Sequence, residues 1–66
     1  MWFLKKKIIP GSEWQMKTMG HAIVTVIAIN NNPDKNKTEK QIEYRFNIGG
    51  SYFRDESSFR RFYKPL

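Results

Sequence analysis

Cysteine is absent from this 66-residue chain, which excludes disulfides, thiolate chemistry and cysteine-based zinc sites together and fits a reducing cytoplasm. Histidine occurs once, as His21. Zinc needs three or four ligands, and no second histidine and no clustered carboxylates accompany this one, so it reads as structural and no metal is expected. The serines at 12, 51, 57 and 58 stand in turn or cap contexts, where their hydroxyls bond backbone instead of serving as nucleophiles with a base beside them. The Gly49-Gly50 pair lacks the Lys and Ser or Thr that would follow in a phosphate loop. The chain is therefore read as a non-enzyme without a cofactor. Long apolar runs are also missing, since none approaches the roughly 18 residues of a spanning helix. The lysines follow Trp2-Phe3-Leu4 instead of preceding an apolar stretch, an order that does not read as a secretory signal. A cytoplasmic protein outside the membrane is expected.

Acidic residues are scarce: 6 Asp plus Glu face 12 Lys plus Arg, giving a net charge of +6. What is plentiful is aromatic, at 15% of residues, and with 39% hydrophobic residues this argues for one folded domain over disorder. A chain this short buries only about 60% of the surface its unfolded form exposes, so self-association or a bound partner can supply missing burial.

Residues 1–12 read as an N-terminal strand or arm. Its three lysines at 5, 6 and 7 either block unwanted edge pairing or, with Trp2, Phe3 and Leu4, dock on an anionic membrane surface. Pro10-Gly11-Ser12 is a turn, and residues 13–18 can form a short strand. Residues 21–30, His-Ala-Ile-Val-Thr-Val-Ile-Ala-Ile-Asn, are dominated by β-branched side chains at both even and odd positions. That composition predicts a strand covered on both faces. Residues 30–40 hold no apolar side chain and read as a polar loop projecting from the body, either a solvated connector or a binding loop.

From Gln41 to Ile48 apolar and polar residues alternate strictly, with Ile42, Tyr44, Phe46 and Ile48 on one face. Gly49-Gly50 then predicts a two-residue hairpin whose two glycines both take positive φ. In that register partner numbers sum to 99: Phe46 meets Phe53 in the core, while Arg45 meets Arg54 and Asn47 meets Tyr52 on the wet face. Two arginines directly opposite repel, which is either relieved by Glu43 on the diagonal or exploited as an anion site. The candidate anion or nucleic-acid site accordingly comprises Arg45, Arg54 and Tyr52, extended by Arg60, Arg61 and Lys64. Asp55 or Ser57 can cap a short helix in which Phe59 and Phe62 share the inner face, and Pro65 ends it.

These elements predict a mainly β protein, a small strongly bent antiparallel sheet or barrel with a short C-terminal helix. The turn Gly20 before Ile23-Val24-Thr25-Val26-Ile27, the strand Ile42-Glu43-Tyr44-Arg45-Phe46, and Tyr52-Phe53-Arg54 leading into a helix resemble SH3-like barrels of the KOW or Tudor type. The strand that would close such a barrel is not evident, and an open sheet packed by the helix is the alternative. The resemblance implies a binding module of the kind found as small stand-alone proteins in bacteria and their phages, where they bind nucleic acid, ribosomes, polymerase or a host protein. Two functions compete. One is phosphate-directed nucleic-acid binding; the other is a protein-binding regulator or inhibitor, phage-encoded in one reading, acting on an acidic protein surface. The charge is dispersed along the chain, +3 in residues 1–17, +1 in 34–40 and +2 in 41–66, so a basic stripe depends on how the chain folds.

Overall fold

The computed structural model describes residues 6–66. They form five strands, β1 (Glu13–Met16), β2 (Ile23–Asn30), β3 (Gln41–Phe46), β4 (Ser51–Asp55) and β5 (Tyr63–Pro65), and one helix, α1 (Glu56–Phe62), between β4 and β5. The strands make one antiparallel, unclosed sheet in the order β4-β3-β2-β1-β5, so α1 carries the chain from one edge of the sheet to the other. The protein is mainly β with a short C-terminal helix, as its composition and alternation predict. The N-terminal arm is only partly within view. Residues 6–10 form no strand, and positions 1–5, with Trp2, Phe3, Leu4 and Lys5, lie outside the described residues.

The core lies on the face of the sheet that α1 covers. It consists of Trp14, Val24, Val26, Ile42, Tyr44, Phe59 and Tyr63, with Ile8, Met16, Ile29 and Phe46 packed against it. Phe59 is the buried residue of the helix, at 0% exposure. It meets Trp14 of β1 edge-on at 5.4 Å, Tyr44 of β3 at 5.3 Å and stacks on Tyr63 of β5 at 4.8 Å. The indole N–H of Trp14 donates to Ser12 Oγ (3.0 Å), whose hydroxyl donates to the carbonyl of Ile9 (2.6 Å), so the polar atom of this large buried side chain is satisfied.

β2 is apolar at both parities for a local reason. Val26 pairs with Tyr44 but Ala28 pairs with Glu43, so β2 carries one extra residue there, a bulge. The bulge switches the inward side from even to odd positions: Val24 and Val26 face the core before it and Ile29 after it, while Ile27 is left exposed. The expectation of a strand covered on both faces is thus corrected, because a parity change and not a second layer accounts for the pattern.

The β3–β4 hairpin departs from the predicted register. Arg45 pairs with Ser51, Tyr44 with Tyr52, Glu43 with Phe53 and Ile42 with Arg54, so partner numbers sum to 96 instead of 99. The connection takes residues 46–50, with Gly49 but not Gly50 at positive φ (106°) and Ile48 exposed. A slip of three residues is odd, and an odd slip exchanges the faces of a strand. Phe53, expected in the core, is on the open face and 54% exposed, whereas Arg54, expected in solvent, is half-buried on the inner face with Tyr52. Tyr44 gains by this: Tyr52 stacks on it at 6.0 Å and Phe46 meets it edge-on at 6.3 Å. Phe62 also differs from expectation, being 41% exposed because the helix turns Phe59 inward and leaves residue 62 under Arg54.

The polar loop is pinned to the body. Asp55 accepts hydrogen bonds from Asn32 Nδ2 (2.8 Å) and from Lys37 Nζ, and within the loop Lys40 Nζ donates to Asn31 Oδ1 (2.6 Å). Glu39 reaches the first turn of α1, where its carboxylate accepts from the Ser57 backbone N–H (2.7 Å) and hydroxyl (3.2 Å). Neither Asp55 nor Ser57 caps the helix through its own side chain; a loop carboxylate does, satisfying an orphan N–H and complementing the positive end of the helix.

Two outcomes follow for stability and register. Phe59→Ala, measured by chemical denaturation, is expected to lose about 3–5 kcal/mol, most of the stability of so small a domain. The pair Glu43→Cys with Phe53→Cys is expected to form an intramolecular disulfide on mild oxidation, because these residues are directly opposed. The pair Phe46→Cys with Phe53→Cys, which the other register would oppose, is not expected to do so.

Candidate functional site

The predicted arginine pair is separated by the register. Arg45 stays on the open face beside Thr25 and Ser51, and its Nε donates to the neighbouring Phe46 carbonyl at 3.3 Å. Arg54 lies on the inner face and is committed to structure: its Nε donates to Tyr44 Oη (3.1 Å), Nη1 donates to Ser58 Oγ (3.2 Å), and the guanidinium lies 4.4 Å from the centre of the Phe62 ring. The two side chains project from opposite faces of the sheet, so they cannot grip one anion. Tyr52 sits with Arg54 on the inner side and half of it remains exposed.

Of the remaining predicted cations, Arg60 and Lys64 come together elsewhere. α1 delivers Arg60 to the β1–β5 edge, where its guanidinium lies 5.7 Å from the Trp14 ring centre, Nη2 donates to the Lys6 carbonyl (3.0 Å) and Nε faces Glu56 Oε2 at 3.5 Å. The bond to Lys6 draws the Lys6-Lys7 segment alongside the helix. β5 contributes Lys64, opposite Gln15 of β1, and the Lys17 backbone N–H donates to the Phe62 carbonyl (2.9 Å), which brings Lys17 to the same edge. Together Lys17, Arg60 and Lys64 rim a shallow depression of about 290 Å³ whose apolar wall is Trp14, Tyr63 and Pro65. No carboxylate lines it. Arg61 is exposed in the last turn of α1.

Charges that are dispersed in sequence are thus gathered by the pairing of β1 with β5. Lys17 is the residue that sequence reasoning missed. Its signal lay in β5, but a three-residue strand ending in proline has no periodicity to detect, and proline in a sheet is confined to edges and ends of the kind β5 occupies. A guanidinium and two ammonium groups over a partly apolar wall suit a phosphate or carboxylate, since each supplies charge-assisted donors. Among the described residues no cluster of three or more His, Asp or Glu side chains is arranged to hold a metal ion, and no helix is long and apolar enough to cross a membrane.

Behind this surface two tyrosine hydroxyls meet. Tyr44 Oη accepts from Arg54 Nε and also from the hydroxyl of Tyr63 (3.4 Å). Burial, reinforced by the Tyr44 hydroxyl, pushes the Tyr63 phenol up to about 12 from its ordinary 10.0, while Arg54 pulls in the opposite direction. At the loop, the hydrogen bond from Lys37 is the largest cause holding the Asp55 carboxyl below the usual range, and the same bond raises Lys37.

Comparison with protein-family models, with curated proteins and with solved structures gives no match to this chain.

The raised Tyr63 phenol has a measurable sign. Between pH 10 and about 12 the unfolded chain loses this proton while the folded one keeps it, so stability is full below pH 10 and falls as pH rises through that window. Denaturation midpoints taken across the window are expected to fall more steeply for the wild type than for Tyr63→Phe.

Proposed function

We propose that this protein is a non-enzymatic binding module that holds nucleic acid by its phosphates at the β1–β5 edge, with Lys17, Arg60 and Lys64 as primary contacts and Lys6, Lys7 and Arg61 extending the surface. The observation that carries this reading is the depression in which Lys17 just after β1, Arg60 of α1 and Lys64 of β5 converge, with Glu56 pairing Arg60 from outside its lining. A net charge of +6 on so small a domain adds long-range attraction for a polyanion. This reading sets aside the grouping of Arg45, Arg54 and Tyr52, because Arg45 and Arg54 project from opposite faces of the sheet. The SH3-like resemblance stays part of this proposal beside an unclosed sheet in the order β4-β3-β2-β1-β5, with α1 between β4 and β5. The competing reading, a regulator docking on an acidic protein, would draw on the same cations and is an outcome of the same titration.

Oligonucleotide affinity is expected to fall linearly on a log–log plot against salt, because each neutralised phosphate releases condensed counterion. Replacing Lys17 and Lys64 together by Gln should flatten that slope by about 1–2 and weaken binding on all sequences alike, whereas Arg45→Gln should leave both unchanged. Dissociation constants weaker than about 10⁻⁴ M at physiological salt would overturn the nucleic-acid reading and leave the acidic-protein one.

A further inference from the structure

The two edges of the sheet are finished differently. β5 is three residues long and carries Lys64 and Pro65, both of which discourage pairing by another strand. β4 is five residues long, Ser-Tyr-Phe-Arg-Asp, with neither lysine nor proline, and its Ser51, Tyr52 and Phe53 are all exposed. An edge of this kind is a template for another strand.

The hydrogen-bond alternation says which groups that edge offers. The Glu56 backbone N–H donates to the Lys40 carbonyl at 2.9 Å, which makes 40 and 56 a bonded pair. By alternation 42/54 and 44/52 are also bonded pairs, so the N–H and C=O groups of Ser51, Phe53 and Asp55 point away from β3 to the free edge. We propose that the free edge of β4 pairs antiparallel with β4 of a second copy, about a two-fold axis at Phe53. In that register Phe53 opposes its own copy, and Ser51 opposes the partner's Asp55. These are the three positions whose backbone groups are outward, so every one of them finds a partner. Tyr52 then opposes the partner's Arg54 in a non-bonded pair, where side chains approach most closely.

The side chains match as well as the backbone. Read against itself in reverse, the strand sets hydroxyl against carboxylate, tyrosine against arginine, and phenylalanine against phenylalanine, with no like charges opposed. A two-fold interface must be self-complementary in this sense. On the inner face the partner's Tyr52 comes against Arg54 and the exposed ring of Phe62 that it covers; on the outer face Phe53 buries against its twin. Tyr52, Phe53 and Phe62 are each more than 40% exposed in the single chain, at 51%, 54% and 41%. One five-residue edge buries less than the roughly 800 Å² per partner of a stable interface, so the dimer forms and dissociates with concentration.

The experiment is sedimentation or light scattering of the full chain from micromolar to millimolar concentration, together with variants. The wild-type mass is expected to rise towards twice that of the chain, and Phe53→Lys, which sets two charges against each other at the axis, to remain single at every concentration with an unchanged circular dichroism spectrum. Because the chain has no cysteine, Phe53→Cys is expected to give a disulfide-linked dimer on mild oxidation: residues in a bonded antiparallel pair lie about 5.5 Å apart at Cα, within disulfide range. Ser51→Cys, which would face Asp55 and not itself, is expected to cross-link far more slowly. A wild type that stays single at millimolar concentration, or cross-linking equal in the two cysteine variants, would overturn the proposal and leave the edge to a strand of another protein.

Discussion

The burial of Phe59 is the constraint on which the architecture rests. A five-stranded sheet of this size has one apolar face and too few residues to make a second sheet, so something else must cover that face. The helix does so with a single buried ring, set among aromatics from β1, β3 and β5. Because β3 and β5 are not neighbours in the sheet, that ring links strands which share no backbone hydrogen bonds and holds the sheet bent around it. Edge-on and stacked contacts of this kind add about 0.5–1.5 kcal/mol each beyond area burial, which matters where the whole stability is a few such units.

The same constraint orders the polar interactions around it. For Phe59 to point inward, α1 must begin where β4 ends, and a seven-residue helix cannot sustain itself on propensity alone. Its first turn is completed by Glu39 from the loop and its last turn is tied through Arg60 to Lys6. Arg54 and Ser58 fasten it to β4. The polar loop, the N-terminal segment and the hairpin therefore converge on one short element, and the basic rim at the β1–β5 edge is a by-product of how that element is held.

The identity of β1 to β4 was legible in the sequence, whereas β5 and the strand pairing were not. β2 and β3 stand out through β-branched content and alternation, and Ile42 and Tyr44 face the core as the alternation requires. The hairpin failed because two glycines imitate a two-residue turn, whereas the chain uses a longer connection with one positive-φ glycine. A tight turn would have set Arg45 against Arg54 on the wet face; the observed register instead uses Arg54 as a donor to Tyr44. The bulge in β2 was visible as apolar residues at both parities, yet that signature is equally that of a doubly covered strand. As for the candidate site, Arg60, Arg61 and Lys64 were identified by charge alone, while Lys17 required knowing that β5 exists.

The pairing of Trp14 with Pro65 joins positions far apart along the chain, and this bears on how the molecule acquires its fold. The hairpins β1–β2, β2–β3 and β3–β4 can each form from neighbouring sequence, but none of them encloses Phe59. The enclosing contact closes a loop of most of the chain, and its entropy must be surrendered before burial returns it. Proteins dominated by such long-range contacts fold in milliseconds to seconds, far slower than helical domains of similar size. The β4 edge and the aromatic face are thus built by local hairpins, whereas the cover for that face depends on the contact that closes the longest loop in the sheet.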